Sequence, residues 1–393
     1  MNVKTISIRE QAPRNSAGEP AAFLSAGFRP FFLLAGIWAA IAVPAWLAAY
    51  AHGYVLRGSL HAMGWHAHEM IFGFGLAAIA GFLLTAIPNW TGRLPIRGAP
   101  LAALAALWLA GRIALLASGA IGPLAAAAID LSFPLVLIGV IARELIAGRN
   151  FRNLPMLVAL GLLFAGNALV HLGHVALGQR IGIATVLALI ALIGGRIVPS
   201  FTRNWLVKNR PAVRDPAPMG KLDLAFLLAT VLGLGIWVTA PDNASIALTA
   251  AGIATAIRLS RWRGLATLRE PLLFILHVGY AWLAFGLTYM GLNGLFGWAP
   301  AGAPLHALTV GAIGTMTLAV MTRATLGHAG RALSASAATV AIYALVTLAA
   351  LLRMAAPFSG DYVVVTSLAG IAWSAAFTVF VLAYGPLLLS RRR

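Results

Sequence analysis

Residues 66–88 read HAHEMIFGFGLAAIAGFLLTAIP. One carboxylate, Glu69, and two histidines open the stretch, and after Met70 its only polar side chain is Thr85. A helix rises about 1.5 Å per residue, so this run covers the roughly 30 Å hydrocarbon core of a bilayer. Eleven further stretches share its character, at about 31–51, 99–118, 120–142, 154–174, 181–199, 222–240, 243–259, 271–293, 305–322, 333–354 and 363–390. The run at 243–259 is the weakest, being short and opening on Asn243-Ala244-Ser245. The whole chain, 393 residues, is 61% hydrophobic and 10% charged, where soluble domains hold about 45–50% and about 25%. A soluble enzyme, a disordered chain and a DNA-binding module are excluded. The fold class expected is an all-α integral membrane protein of twelve transmembrane helices. Residues 28–390 form one membrane domain, 1–27 a cytoplasmic N-terminal segment and 391–393 a basic cytoplasmic tail. The polar segment 1–27 is too long for the n-region of a cleaved signal, so 31–51 reads as a retained first span.

The net charge of +18 has a topological explanation. With the N-terminus cytoplasmic, only Arg57, Arg180 and Arg353 of the 28 Lys and Arg fall on the outer side, and Arg112 and Arg196 fall within spans. The rest gather in loops on the inner side, the bias that orients polytopic proteins. The reading is therefore a twelve-helix membrane protein with both termini inside, and no nucleic-acid partner is needed. Three spans close alike: Ile87-Pro88-Asn89-Trp90-Thr91-Gly92-Arg93, Val198-Pro199-Ser200-Phe201-Thr202-Arg203 and Val320-Met321-Thr322-Arg323. They recur every four spans, which suggests three pseudo-repeats of four helices.

Cysteine is absent, so disulfides, iron–sulfur clusters, thiolate zinc and c-type haem attachment are excluded. A phosphate-binding loop, a dinucleotide fingerprint and an H-E-x-x-H motif are missing too, and Gly73-Phe74-Gly75 reads as close helix packing. Histidine carries the signal instead. His52, His61, His66, His68, His171, His174 and His306 all fall at the outer side, while His277 lies in the inner half of the ninth span and His328 in an inner loop. Imidazole is the common ligand of copper and b-type haem where thiolates are lacking, so the cluster points to haem b or copper near the outer surface.

Spacing refines this. His66 and His68 lie two residues apart, about 200° around a helix, so each serves a different centre. His171 and His174 lie three residues apart and share a face, which suits one copper ion or a ligand and the residue that orients it. Glu69 could orient an imidazole or shuttle protons, and Met70 is either a soft ligand or core packing. Arg112 and Asp130 fall at similar depth and could pair, with a haem propionate as the alternative partner of Arg112. Arg196 snorkels or, with His277 and Asn89, builds a second inner polar site. The candidate cofactor-binding residues are thus His66, His68, His171, His174, His277, His306, Arg112 and Arg196. The candidate metal ligands are His66, His68, His171, His174, His306, Glu69 and Met70.

Several of these residues carry a family resemblance. Gly27-Phe28-Arg29-Pro30-Phe31-Phe32, Trp65-His66-Ala67-His68-Glu69-Met70-Ile71-Phe72-Gly73, Gly195-Arg196-Ile197-Val198-Pro199-Ser200-Phe201-Thr202 and Arg323-Ala324-Thr325-Leu326-Gly327-His328-Ala329-Gly330-Arg331 resemble the NnrS family. The likeness runs from about residue 25 to the C-terminus. It implies a twelve-helix bacterial inner-membrane protein carrying haem and copper, tied to nitric oxide metabolism, nitrosative stress and denitrification. A more distant likeness is to the catalytic subunit of haem–copper oxidases, twelve helices in three arcs with metal ligands on helices 2 and 10. The sixth and seventh spans here lack the histidines of that binuclear site.

The leading function is then a haem b and copper membrane protein that binds or processes nitric oxide, supplied with electrons by quinol or a periplasmic carrier. A small-molecule or ion transporter using Glu69, Arg112, Asp130 and Arg196 is the second reading. A non-catalytic haem-based sensor or metal-handling protein is the third.

Overall fold

A computed structural model describes residues 21–54 and 58–390. The expectations placed on residues 1–20, on Arg57, on the side chain of His52 and on the tail 391–393 lie outside the described residues. Among the described residues, eleven helices are long and apolar enough to cross a membrane. In chain order, with one shorter helix included as α8, they are α1 (Phe28–Ala51), α2 (Ala62–Thr91), α3 (Ala99–Leu116), α4 (Pro123–Ala147), α5 (Phe151–His171), α6 (Val175–Asn209), α7 (Lys221–Thr239), α8 (Ser245–Ser260), α9 (Pro271–Phe296), α10 (Gly302–His328), α11 (Ala337–Phe358) and α12 (Tyr362–Leu389). The chain is a multi-pass membrane protein, with no strand among the described residues. The stretch read as the eighth span forms α8, whose length of about 24 Å is short of a hydrocarbon core.

Prolines open α3, α4 and α9 at their first or second position, where the missing N–H costs nothing. Among the described residues, left-handed glycines cap α1 at Gly53, α2 at Gly92 and α9 at Gly297. Successive helices pack side by side, and α1 lies along α12 so that the ring closes. Arg29 fastens this seam, donating from Nη1 to the carbonyls of Leu387 (3.1 Å), Leu388 (3.0 Å) and Ser390 at the frayed end of α12.

The three most deeply buried spans are α2, α6 and α10, which meet inside the ring. Each is longer than the span expected from its apolar run, and each carries a π-helical segment: Glu69–Gly75, Ile190–Gly194 and Ala307–Gly314. A π turn widens the helix and releases carbonyls from their regular partners. Two carbonyls within these segments also accept from buried side chains. Trp108 Nε1 donates to Gly73 O (3.0 Å), and Arg258 Nη1 donates to Ala191 O (3.0 Å).

Arg258 corrects the charge count made from sequence. It lies in α8, 1% exposed, between the Ala191 and Gly195 carbonyls, the Tyr280 hydroxyl (3.0 Å) and Asp223 (3.5 Å), not in an inner loop. Arg353, read as an outer-loop charge, is also buried within α11.

Candidate functional site

Two sites flank α2 at the end of the bundle where α1 finishes. His66 and His68 lie on opposite sides of the helix, and each side has its own chemistry.

On the His66 side is a cavity of about 230 Å³. Its lining includes His66 and Met70 from α2, Trp46 from α1, His306 from α10, Arg353 from α11, and Thr366 and Trp373 from α12. Ile71, Phe74, Ile183 and Val186 complete largely apolar walls. The His66 ring stacks on Trp46, with centroids 4.2 Å apart and planes at 25°. His306 Nδ1 sits 2.6 Å from Gly302 O, so Nδ1–H donates to that carbonyl and Nε2 keeps its lone pair. Ligating histidines are commonly oriented this way. Around the same cavity, four buried polar atoms make no hydrogen bond among the described residues: Trp46 Nε1, His66 Nδ1, Arg353 Nη1 and Thr366 Oγ1. Buried polar atoms are rarely left so. Four of them around one apolar cavity mark a place built for a bound group.

On the His68 side the charges close on one another. His68 is fully buried, with Nδ1 3.0 Å from Glu69 Oε1 and Nε2 2.7 Å from Asn167 Oδ1 and 3.3 Å from Asp130 Oδ2. Arg112 donates from Nη1 to Glu69 Oε2 (2.8 Å) and from Nη2 to Asp130 Oδ1. Trp38 Nε1 donates to Glu69 Oε2 (2.7 Å), and Asn167 Nδ2 to Asp130 Oδ2 (2.8 Å). His171 Nε2 lies 3.0 Å from Asp130 Oδ2. Because Asn167 spends its amide N–H on Asp130, its carbonyl oxygen faces His68. Both nitrogens of His68 therefore face acceptors and both donate, which makes the ring an imidazolium. Two carboxylates then balance two cations, the arrangement a low-dielectric interior requires.

The glycines beside the cluster are there for space. A Cβ on Gly73 would lie 2.6 Å from Glu69 Oε2 and 2.7 Å from Arg112 Nη1, and one on Gly111 would lie 2.9 Å from Asp130 Oδ1. The glycine pair read as helix packing is, at Gly73, also the floor of this network.

The donor atoms of His68, Asp130 and His171 all lie within 4.8 Å of one another, so these three residues could hold a metal ion. Separations of 3.0 and 3.3 Å are those of ligands about 2 Å from a shared ion. An ion there takes the place of the proton on His68 Nε2.

The other predicted residues fall elsewhere. α5 ends at His171, so His174 does not share its helical face; it stands exposed in the turn before α6. His277 is buried toward the opposite end of the bundle, its Nε2 2.9 Å from Thr202 Oγ1 and its Nδ1 without a hydrogen bond. Arg196 is half-buried near Arg152 and Arg258 and joins neither site. Sequence reasoning missed Arg353, Trp46 and Asn167. Asn167 had a signal, since it stands four residues before His171 and so on the same helical face.

Fold and site together define a polytopic helical membrane protein with a histidine-lined apolar cavity beside a buried, charge-balanced cluster. The sequence profile described as NnrS protein matches residues 22–392, and the chain belongs to the NnrS family. No curated protein matches the chain.

Proposed function

We propose that this protein carries haem b and copper and binds or processes nitric oxide in denitrification or the nitrosative-stress response. The observation that carries the reading is the set of unpartnered polar atoms around the cavity. The donors present fit a haem. His306 offers a free Nε2 from α10, held by its bond to Gly302 O. His66 faces the same space from α2, with Trp46 fixing its ring plane. Arg353 Nη1 supplies the cation that a propionate needs, while its Nη2 is held by the Tyr362 hydroxyl at 3.0 Å. The aromatic and aliphatic walls exclude water from the macrocycle's faces. Ferrous haem with one open position supplies the chemistry that captures nitric oxide.

For copper, the donor set of His68, Asp130 and His171 is the better fit, and Met70 offers a soft alternative within the cavity. Without its proton, His68 leaves the cluster with one unit of negative charge, which one monovalent ion would balance. Glu69 and Arg112 then hold the ligands rather than bind the metal. The nitric oxide link itself comes from family membership. The transporter reading finds less support, because Glu69, Arg112 and Asp130 are spent on one another.

The proposal extends to topology. With α8 as a twelfth crossing, both termini lie on the cytoplasmic side of the inner membrane and the two sites face the periplasm. The π segments in α2, α6 and α10, four helices apart, support three related units. Electrons would come from quinol or a periplasmic carrier.

The test is composition. Protein purified in mild detergent is assayed by pyridine haemochromogen and elemental analysis. About one haem b or more per chain is expected, with copper below or near one. A colourless protein that takes up neither after reconstitution would sink the proposal.

A further inference from the structure

We infer that α2, α6 and α10 enclose an apolar passage that leads a small uncharged gas molecule to the histidine cavity. The inference rests on the haem reading only for the identity of what waits at its end.

Three cavities adjoin one another along the line where these helices meet. The middle one, about 90 Å³, shares Gly75 and Val186 with the histidine cavity. At its other end it shares Phe32, Phe82, Ile197 and Val320 with a cavity of about 320 Å³. That last space has a polar rim, with Asn89, Arg323 and His328 among its lining. Protein interiors pack to the density of organic crystals, so adjoining voids along one axis need a cause. The π segments provide it. Ile190, Ile193 and Gly194 of the α6 segment line the middle cavity, the α2 segment ends there at Gly75, and Met316 follows the α10 segment closely. Three widened turns, each ending in glycine and two of them presenting that glycine at the wall, hold the helices apart.

The wall chemistry selects the traveller. Among the described residues no ionisable side chain lines the middle cavity, and Thr317 is its only side chain with a polar group. An ion or a hydrated proton would leave its solvation behind and find no replacement. A quinol headgroup would find no pair of partners for its two hydroxyls. A diatomic gas loses nothing of the kind. Dry apolar cavities of this type bind xenon and other small apolar guests.

Xenon is therefore the probe. Crystals of the purified protein are pressurised with xenon, and anomalous density is expected between Phe82, Ile193 and Met316. The variants Ala78→Phe and Thr317→Leu, which fill the space by different amounts, are expected to lose it. In the same preparations, carbon monoxide recombination after flash photolysis of the reduced protein should slow by about tenfold or more in Ala78→Phe, with an unchanged Soret band. No xenon in the wild-type middle cavity overturns the passage, as does an unchanged recombination rate in the two variants once xenon is displaced. If the protein proves to hold no haem, the function proposed above fails and the xenon result alone decides the passage.

Discussion

Replacing His306 with alanine should strip the haem while leaving the fold in place. The imidazole reaches the cavity from α10, and its Nδ1–H is committed to Gly302 O, so only Nε2 remains to act as a ligand. His306→Ala removes that ligand and adds a space in a wall that is already open. Loss of even an outer partner of a metal ligand costs about 10–100-fold in affinity, so loss of the ligand itself should lower haem content at least tenfold. His66→Ala should act in the same direction, since it takes the facing imidazole from the cavity and unstacks Trp46. His174→Ala is the control: exposed at the α5–α6 turn, it should keep wild-type haem. Haem per chain, measured on the monodisperse peak, decides the matter. Full retention in both His66→Ala and His306→Ala would place the haem elsewhere.

Arg112→Met should cause the largest loss of stability of any single substitution in the bundle. Met keeps most of the bulk and removes the charge. Glu69 and Asp130, 0% and 1% exposed, would then share only His68 as a cation. Removing one partner of a buried ion pair costs about 3–5 kcal/mol, because the remaining charge has neither water nor partner. The contrast is Arg93→Met. Arg93 Nε lies 2.6 Å from Glu144 Oε2, but its side chain is 44% exposed, and surface pairs are worth about 0–1 kcal/mol. Equilibrium unfolding in mixed micelles, followed by circular dichroism, should separate the two variants by several kcal/mol. Equal midpoints would mean that the cluster is not closed as described.

The sequence showed the bundle because bilayer thickness imposes a length on apolar runs. Eleven of the twelve runs appear as long helices, and the one that does not, α8, was the shortest and opened on Asn243-Ala244-Ser245. The depth argument also brought Arg112 to Asp130, because it needs only the helical rise and a shared turn. The opposite placement of His66 and His68 followed from helical angle alone. What failed depended on where helices stop. His171 and His174 share a face only if α5 continues, and it ends at His171 with Gly173 left-handed at φ +87°. Arg353 was assigned to a loop because a charge at the end of an apolar run looks the same whether it faces water or a cavity. The π segments left no mark that could be told from other glycine-containing apolar sequence, since an extra residue in one turn does not alter composition. Arg258 likewise became intelligible only when α8 was seen to press it against the opened turn of α6.

The central claim is a haem in the cavity between His66 and His306, with a face open to nitric oxide. Its most direct test is the optical spectrum of the purified protein, oxidised, dithionite-reduced, and reduced with nitric oxide. A b-type Soret band that shifts when nitric oxide is added is the expected result. A b-type spectrum indifferent to nitric oxide would contradict the open face, and the absence of any Soret band would contradict the haem.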